Sequence, residues 1–235
     1  LITSSAASDV YKRQVKYYST RGHKEGITFD DIILSGVAPD NGLYLPDSTT
    51  IESLTYLTQE DLSYEDFVKT IFISLDKASA KYLDNLSIYP GFQNSPEPVL
   101  KDLDNKTMVM ELFHGPTKSF KDYALQPLGA IADKRLSEIS EKGLVIVATS
   151  GDTGSAAINA VKDSENIDIV VLHPENKISE YQRKQMTSVI KENVLNIAVK
   201  GSYDDCQKIA KELLAKNPFK RKIISLNSIN SVSYT

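Results

Sequence analysis

From residue 107 onward, short apolar and β-branched runs alternate with amphipathic stretches, and this alternation limits the fold more than any other feature. Thr107–Phe113, Leu144–Thr149, Ile167–Leu172, Val194–Val199 and Ile223–Leu226 read as strands. Ser119–Ile139, Thr153–Val161, Ser179–Lys191 and Tyr203–Ala215 read as the helices between them. Apolar runs without polar alternation belong to strands covered on both faces. A strand–helix–strand order supplies that cover with crossover helices, so a parallel sheet is expected.

The chain before this point has a different texture. Ile27–Leu34 reads as a helix capped at Thr28, with Asp30 and Asp31 in its first turn and Ser35-Gly36 at its end. Ala38–Pro46 is turn chemistry followed by a short apolar segment. Leu62–Leu83 carries Phe67, Ile71, Phe72 and Leu75 at helical spacing. Pro90, Gly91, Pro96 and Pro98 then crowd together and mark the expected boundary. The fold class is α/β: a largely helical N-terminal region, 15–98, followed by a parallel-sheet domain, 99–235, that looks truncated at its C-terminus. Residues 1–14 are Ser- and Ala-rich and are expected to be extraneous or disordered. Because the first residue is Leu1 and the last ones follow an apparent strand, both ends read as cuts in a longer protein.

Composition narrows the function. Lys plus Arg number 27 against 31 Asp plus Glu, without a basic stripe, which argues against nucleic acid as a partner. No apolar run approaches the ~20 residues that span a bilayer, and no signal peptide is visible, so a cytoplasmic location is expected. A single cysteine, Cys206, and three scattered histidines leave no metal-ligand spacing. No metal is expected, and the oligomeric state is open.

Two stretches carry chemistry. Glu111–Leu128 reads E-L-F-H-G-P-T-K-S-F-K-D-Y-A-L-Q-P-L, in which a Gly-Pro break leads into an amphipathic helix with Lys121 in its first turn. The positive end of a helix favours acids, so the field there disfavours an ammonium and favours the neutral amine that condenses with an aldehyde. Lys118 rivals it as the reactive amine, and a solvent-facing lysine is the plain alternative. Ser119 and Asp122 fit an S-x-x-D capping box, and Pro127 is expected to bend the helix near Gln126. The second stretch, Ala148–Ala156, reads A-T-S-G-D-T-G-S-A where a strand hands over to a helix. Free amides, glycines and hydroxyls there suit a phosphate or carboxylate, with Ser150, Gly151, Asp152, Thr153 and Gly154 as candidate substrate-binding residues. The alternative is a tight turn with Thr153 as N-cap, and Asp152 sits awkwardly beside an anion.

Taken together, these stretches resemble the threonine synthases. L-F-H-G-P-T-K-S-F-K-D-Y-A-L-Q resembles that family's cofactor-lysine motif, and S-G-D-T-G-S-A-A, from Ser150 to Ala157, resembles its strand-to-helix loop. Tyr18-Ser-Thr-Arg-Gly22, Gly36–Pro46, His173-Pro174, Gln182, Gln185-Met186 and Gly201–Gln207 are similar to further family stretches, in family order, from about Val15 to Asn230. The resemblance implies a pyridoxal 5'-phosphate enzyme of the tryptophan-synthase-β fold type (fold type II). It would convert O-phospho-L-homoserine and water to L-threonine and phosphate. Lys121 would be both the catalytic and the cofactor-binding residue, holding pyridoxal phosphate as a Schiff base. A related phospho-lyase that releases 2-oxobutyrate and a non-catalytic anion-binding module are the alternatives. The family's glycine-rich cradle for the cofactor phosphate is absent from the eleven glycines, as is the partner of the pyridine nitrogen, and both are expected beyond residue 235. The piece on its own is therefore expected to be inactive.

Overall fold

A computed structural model describes residues 15–47 and 62–224 of the chain. The expectation for residues 1–14 lies outside the described residues. Strand β1 (Tyr17–Ser19) pairs antiparallel with β2 (Tyr44–Pro46), and helix α1 (Phe29–Ser35) lies between them in sequence. The Thr28 amide and hydroxyl both donate to the Asp31 carboxylate, at 3.2 and 2.7 Å, which fixes the helix start that the sequence predicts. Gly36, at φ 64°, ends it.

The single helical stretch expected over 62–83 is broken. Helix α2 (Tyr64–Leu75) stops at Asp76, a 3-10 turn covers Lys77–Ser79, and α3 (Ala80–Leu83) follows. Asp76 causes the break. Its carboxylate accepts from the Ala78 amide at 2.9 Å and from the Tyr17 hydroxyl at 3.3 Å, so it caps the new turn and ties it to β1.

Strand β3 (Val99–Asp104) pairs antiparallel with β4 (Thr107–Glu111). Here the structure differs from the sequence reading, in which Thr107–Phe113 joins the parallel sheet. The Asp104 carboxylate accepts from the Lys106 amide at 2.8 Å, closing a side-chain turn that returns the chain on itself. The two strands form a separate and largely exposed hairpin.

Helix α4 (Asp122–Glu138) begins three residues later than expected and runs through Pro127 without interruption. Proline supplies no amide for the carbonyl four residues back, which belongs to Tyr123. The Tyr89 hydroxyl donates to that carbonyl at 3.0 Å and replaces the missing bond. Burial pushes the Tyr89 phenol well above its ordinary range, which keeps it a donor.

The remaining elements alternate as predicted: β5 (Gly143–Ala148), α5 (Asp152–Val161), β6 (Ile167–Pro174), α6 (Glu180–Thr187), β7 (Val194–Val199), α7 (Tyr203–Lys216) and β8 (Lys222–Ile224). The strands form one parallel sheet in the order β7-β6-β5-β8. Alternate residues of β5 serve opposite faces. Val145 and Val147 join Ile169, Val171 and the buried residues of α4 and α5. Leu144 and Ile146 pack with Leu172 and with Cys206 and Ala210 of α7. Both faces are thus covered, which explains why β5 reads as an unbroken apolar run. The first cluster also takes in Phe29, Ile32 and Ile33 of α1, so one core joins the N-terminal region to the sheet.

Tyr89→Phe keeps the ring and removes the donor, stranding the Tyr123 carbonyl. It is expected to lower the unfolding free energy by about 1–2 kcal/mol in urea titration, with α4 still formed by circular dichroism.

Candidate functional site

The chain passes from β5 through β6 to β7 in one direction, then returns to lay β8 on the other side of β5. Ligands of such open sheets bind outside the carboxyl ends of the strands, where the winding reverses. The Ser150 loop begins at the carboxyl end of β5.

Inside that loop the Thr149 hydroxyl accepts from the amides of Gly151, at 2.9 Å, and Gly154, at 3.0 Å. Thr149, the residue before the candidate set, therefore organises the turn, and the N-cap of α5 is Gly151 rather than Thr153. Gly151 sits at φ 143°, where a side chain is strained, and a Cβ there would also lie 2.5 Å from the Gln182 side chain. The amides of Asp152 and Thr153 belong to the first turn and have no partner within the helix. Ser150 is exposed beside them, with Thr153 half-buried. Asp152 does not aim an unengaged charge at this place, because its carboxylate accepts from the Gln182 amide at 2.7 Å.

The Lys121 turn is built around Asp122. The Asp122 carboxylate is fully buried and accepts from the Thr117 amide and hydroxyl, each at 2.8 Å. Gly115 packs directly on this carboxylate, in space that any Cβ would fill. The expected capping box closes only in part: the Ser119 backbone amide bonds to the Asp122 carboxylate, but the Ser119 hydroxyl accepts from the Lys121 amide at 3.3 Å. Lys121 is consequently the N-cap of α4 rather than a first-turn residue. It is half-buried, with Nζ 4.4 Å from the centroid of the Phe120 ring. Lys118 is exposed at φ 62° and lines a cleft of about 640 Å³ with Gly91, Asn94, Glu97, His114 and Pro116. His114 is hydrogen-bonded to Glu111 at 2.9 Å on that side. Neither Lys121 nor the Ser150 loop lines the cleft.

Helix α6 brings the two stretches together. The Gln182 amide reaches Asp152, and the Gln185 amide donates to the Thr117 carbonyl at 2.7 Å. These contacts join residues 30 and 68 positions apart, so residue spacing gave no sign of them. Helix α4 lies close along α5 as well, since a Cβ on Gly129 would stand 2.8 Å from the Ala160 carbonyl. Among the described residues no group of three or more His, Cys, Asp or Glu side chains is arranged to hold a metal. No helix among them is long and apolar enough to cross a membrane.

The fold and this edge define a doubly covered α/β protein in which one helix ties the Ser150 loop to the turn that leads into a half-buried lysine. A family profile described as threonine synthase N terminus matches residues 16–85. The chain is 39% identical over 225 residues to threonine synthase of Pseudomonas aeruginosa, covering 92% of this chain and 48% of the relative. It is 38% identical over 224 residues to threonine synthase-like 2 of Xenopus laevis, with coverages of 92% and 48%. The pyridoxal-phosphate-bound crystal structure of threonine synthase from Brucella melitensis superposes with a TM-score of 0.82 at 34% identity, over 93% of this chain and 49% of that one. Yeast threonine synthase gives 0.81 at 31% identity, over 94% and 47%. The chain belongs to the threonine synthase family, and it spans about half the length of the curated relatives it matches.

Gly151→Ala adds backbone strain and an overlap with Gln182. It is expected to cost on the order of 1–3 kcal/mol in chemical denaturation. Asp122 gives a pH signature. Burial raises its carboxyl above the ordinary range, although the bonds from Thr117 pull the other way. The folded chain therefore keeps this proton at a pH where the unfolded chain has already released it. The stability so gained is full below the ordinary carboxylate range and is lost as pH rises through the raised folded value. The unfolding free energy of the wild type relative to Asp122→Asn should accordingly fall across that window in denaturant titrations at stepped pH.

Proposed function

We propose that this chain forms the lysine-bearing part of an enzyme that converts O-phospho-L-homoserine and water to L-threonine and phosphate with pyridoxal phosphate. The observation that carries the reading is the joint bracing of the Lys121 turn and the Ser150 loop by α6. Family membership supports it, as does the bound cofactor in the Brucella melitensis relative. We read residues 15–98 as the N-terminal domain and 99–235 as the catalytic one.

The residues present suit the cofactor in two respects. Lys121 offers a half-buried amine on a turn that Asp122 holds firmly, and the Ser150 loop offers unpaired amides and hydroxyls for an anion. Pyridoxal phosphate supplies an aldehyde for an amine and an electron-poor ring that stores carbanion charge. In this reading Lys121 Nζ would hold the cofactor, and its amine would carry protons between substrate carbons. The Ser150 and Thr153 hydroxyls and the Asp152 and Thr153 amides bind and orient the substrate anion, while Gly151 and Gly154, whose amides Thr149 holds, leave room for it to approach. Asp152, held by Gln182, presents its remaining acceptor capacity to a hydroxyl or an ammonium of the substrate. The cytoplasm is the compartment we assign. The 235 residues alone are inactive in this reading, because no glycine-rich cradle for the cofactor phosphate occurs among them.

Borohydride reduction with pyridoxal phosphate, followed by peptide mapping, is expected to label Lys121 ahead of the other lysines. Label confined to Lys118, or scattered without preference, overturns the assignment. In the protein at the full length of its relatives, Lys121→Ala should abolish phosphate release from O-phosphohomoserine. Threonine should be the product, and release of 2-oxobutyrate without threonine would replace this reading with a phospho-lyase.

A further inference from the structure

Residues 182, 185 and 186 lie three and four positions apart on α6 and so share one face. That face touches both candidate stretches. Gln182 fills the space over Gly151 and donates to Asp152. Met186 is buried under Gly154, where a Cβ would stand 2.7 Å from its sulfur. Gln185 donates to the Thr117 carbonyl, four residues before Lys121. With its amide and hydroxyl already on Asp122, Thr117 then has its donors and its carbonyl all engaged.

The helix itself is fastened at both ends. At its start the Ser179 hydroxyl accepts from the Gln182 amide nitrogen of the backbone at 3.2 Å. The same hydroxyl donates to the Gln182 side-chain oxygen at 3.0 Å, which turns the Gln182 side-chain nitrogen toward Asp152. At its end the Asn196 side chain on β7 donates to the Met186 carbonyl at 3.2 Å. A rigid helix tied to the sheet thus grips two loops through two neutral amides.

We propose that Gln182 and Gln185 are positioning residues that couple the Ser150 loop to the Lys121 turn, so that an anion held in the loop also steadies the Lys121 amine. The coupling path runs from Asp152 through Gln182, along one turn of α6 to Gln185, and into Thr117. It rests on the reading of Lys121 and of the loop given above, and its reach is set by hydrogen bonds rather than by charge. Both glutamines act through other residues, Asp152 and Thr117.

The test uses the 235-residue chain with inorganic phosphate as the anion probe, and compares the wild type with Gln182→Ala and with Gln185→Met, which keeps bulk and loses the donor. Hydrogen exchange read by mass spectrometry should show phosphate slowing residues 150–155 and also residues 116–121 in the wild type. Phosphate should likewise raise the share of reduced pyridoxal label found on Lys121. In Gln185→Met the loop response stays, while the response of 116–121 and the enrichment at Lys121 are lost. Gln182→Ala, at a half-buried position on the helix surface, should lose the same two responses, and unchanged protection of β5 and β6 identifies the folded variants. Turn responses that persist in both variants overturn the positioning role while leaving the functional reading intact. A wild type in which phosphate slows neither segment removes the anion reading of the loop, and one without preferred label at Lys121 removes the lysine assignment. Either result takes the coupling with it.

Discussion

A carboxylate with no exposure to water must be satisfied by the chain itself, and Asp122 sets this condition for much of the structure. Its two oxygens take the amide and hydroxyl of Thr117, which draws the turn from Gly115 to Lys121 back over the first turn of α4. Only glycine fits at 115, because the carboxylate occupies the place of its Cβ. The position of Lys121 follows from this bond pattern more than from any interaction of the lysine itself. An acid at the start of a helix is also favoured by the helix dipole, so the buried charge stands where the backbone partly compensates it.

The sheet provides the second half of the arrangement. Strand β5 is covered by α4 and α5 on one face and α7 on the other, and its carboxyl end runs into the Ser150 loop. Thr149 then gathers two amides of that loop on one hydroxyl, which shapes the turn while the amides of Asp152 and Thr153 stay without helix partners. The N-terminal region contributes through α4. Tyr89 completes the backbone bonding that Pro127 interrupts, and Phe29, Ile32 and Ile33 pack in the same cluster as Leu125 and Leu128.

The sequence made the covered strands legible because burial on both faces leaves a physical trace, an apolar run such as Leu144–Ala148 bounded by Gly143 and Thr149. The cap at Thr28 was legible for a similar reason, since its partner Asp31 is three residues away. The hairpin of β3 and β4 was not, because the four apolar or β-branched residues Thr107–Met110 specify a strand and not its partner. The clue lay in Asp104, whose turn bond to Lys106 is local and could have been weighed. Asp122 was legible in half, as its spacing from Ser119 gives the amide side of a capping box but does not show that the same carboxylate also serves Thr117. The lysine and the loop were visible as separate motifs. What joins them depends on Gln182 and Gln185, whose partners are far away in sequence and whose own neighbourhood is an ordinary polar helix.

The use of amides at these two joints has a physical logic. An arginine or lysine in place of Gln185 would satisfy the Thr117 carbonyl with a stronger bond. It would also set a fixed positive charge near the turn that carries Lys121, and raise the cost of any state in which the amine is protonated. An acid could not donate to the Thr117 carbonyl once ionised. A neutral amide donates without that cost. At Gln182 the same group does more, because its oxygen takes the Ser179 hydroxyl while its nitrogen occupies Asp152. Asp152, the acidic side chain of the Ser150 loop, is thus engaged by a donor that adds no charge of its own.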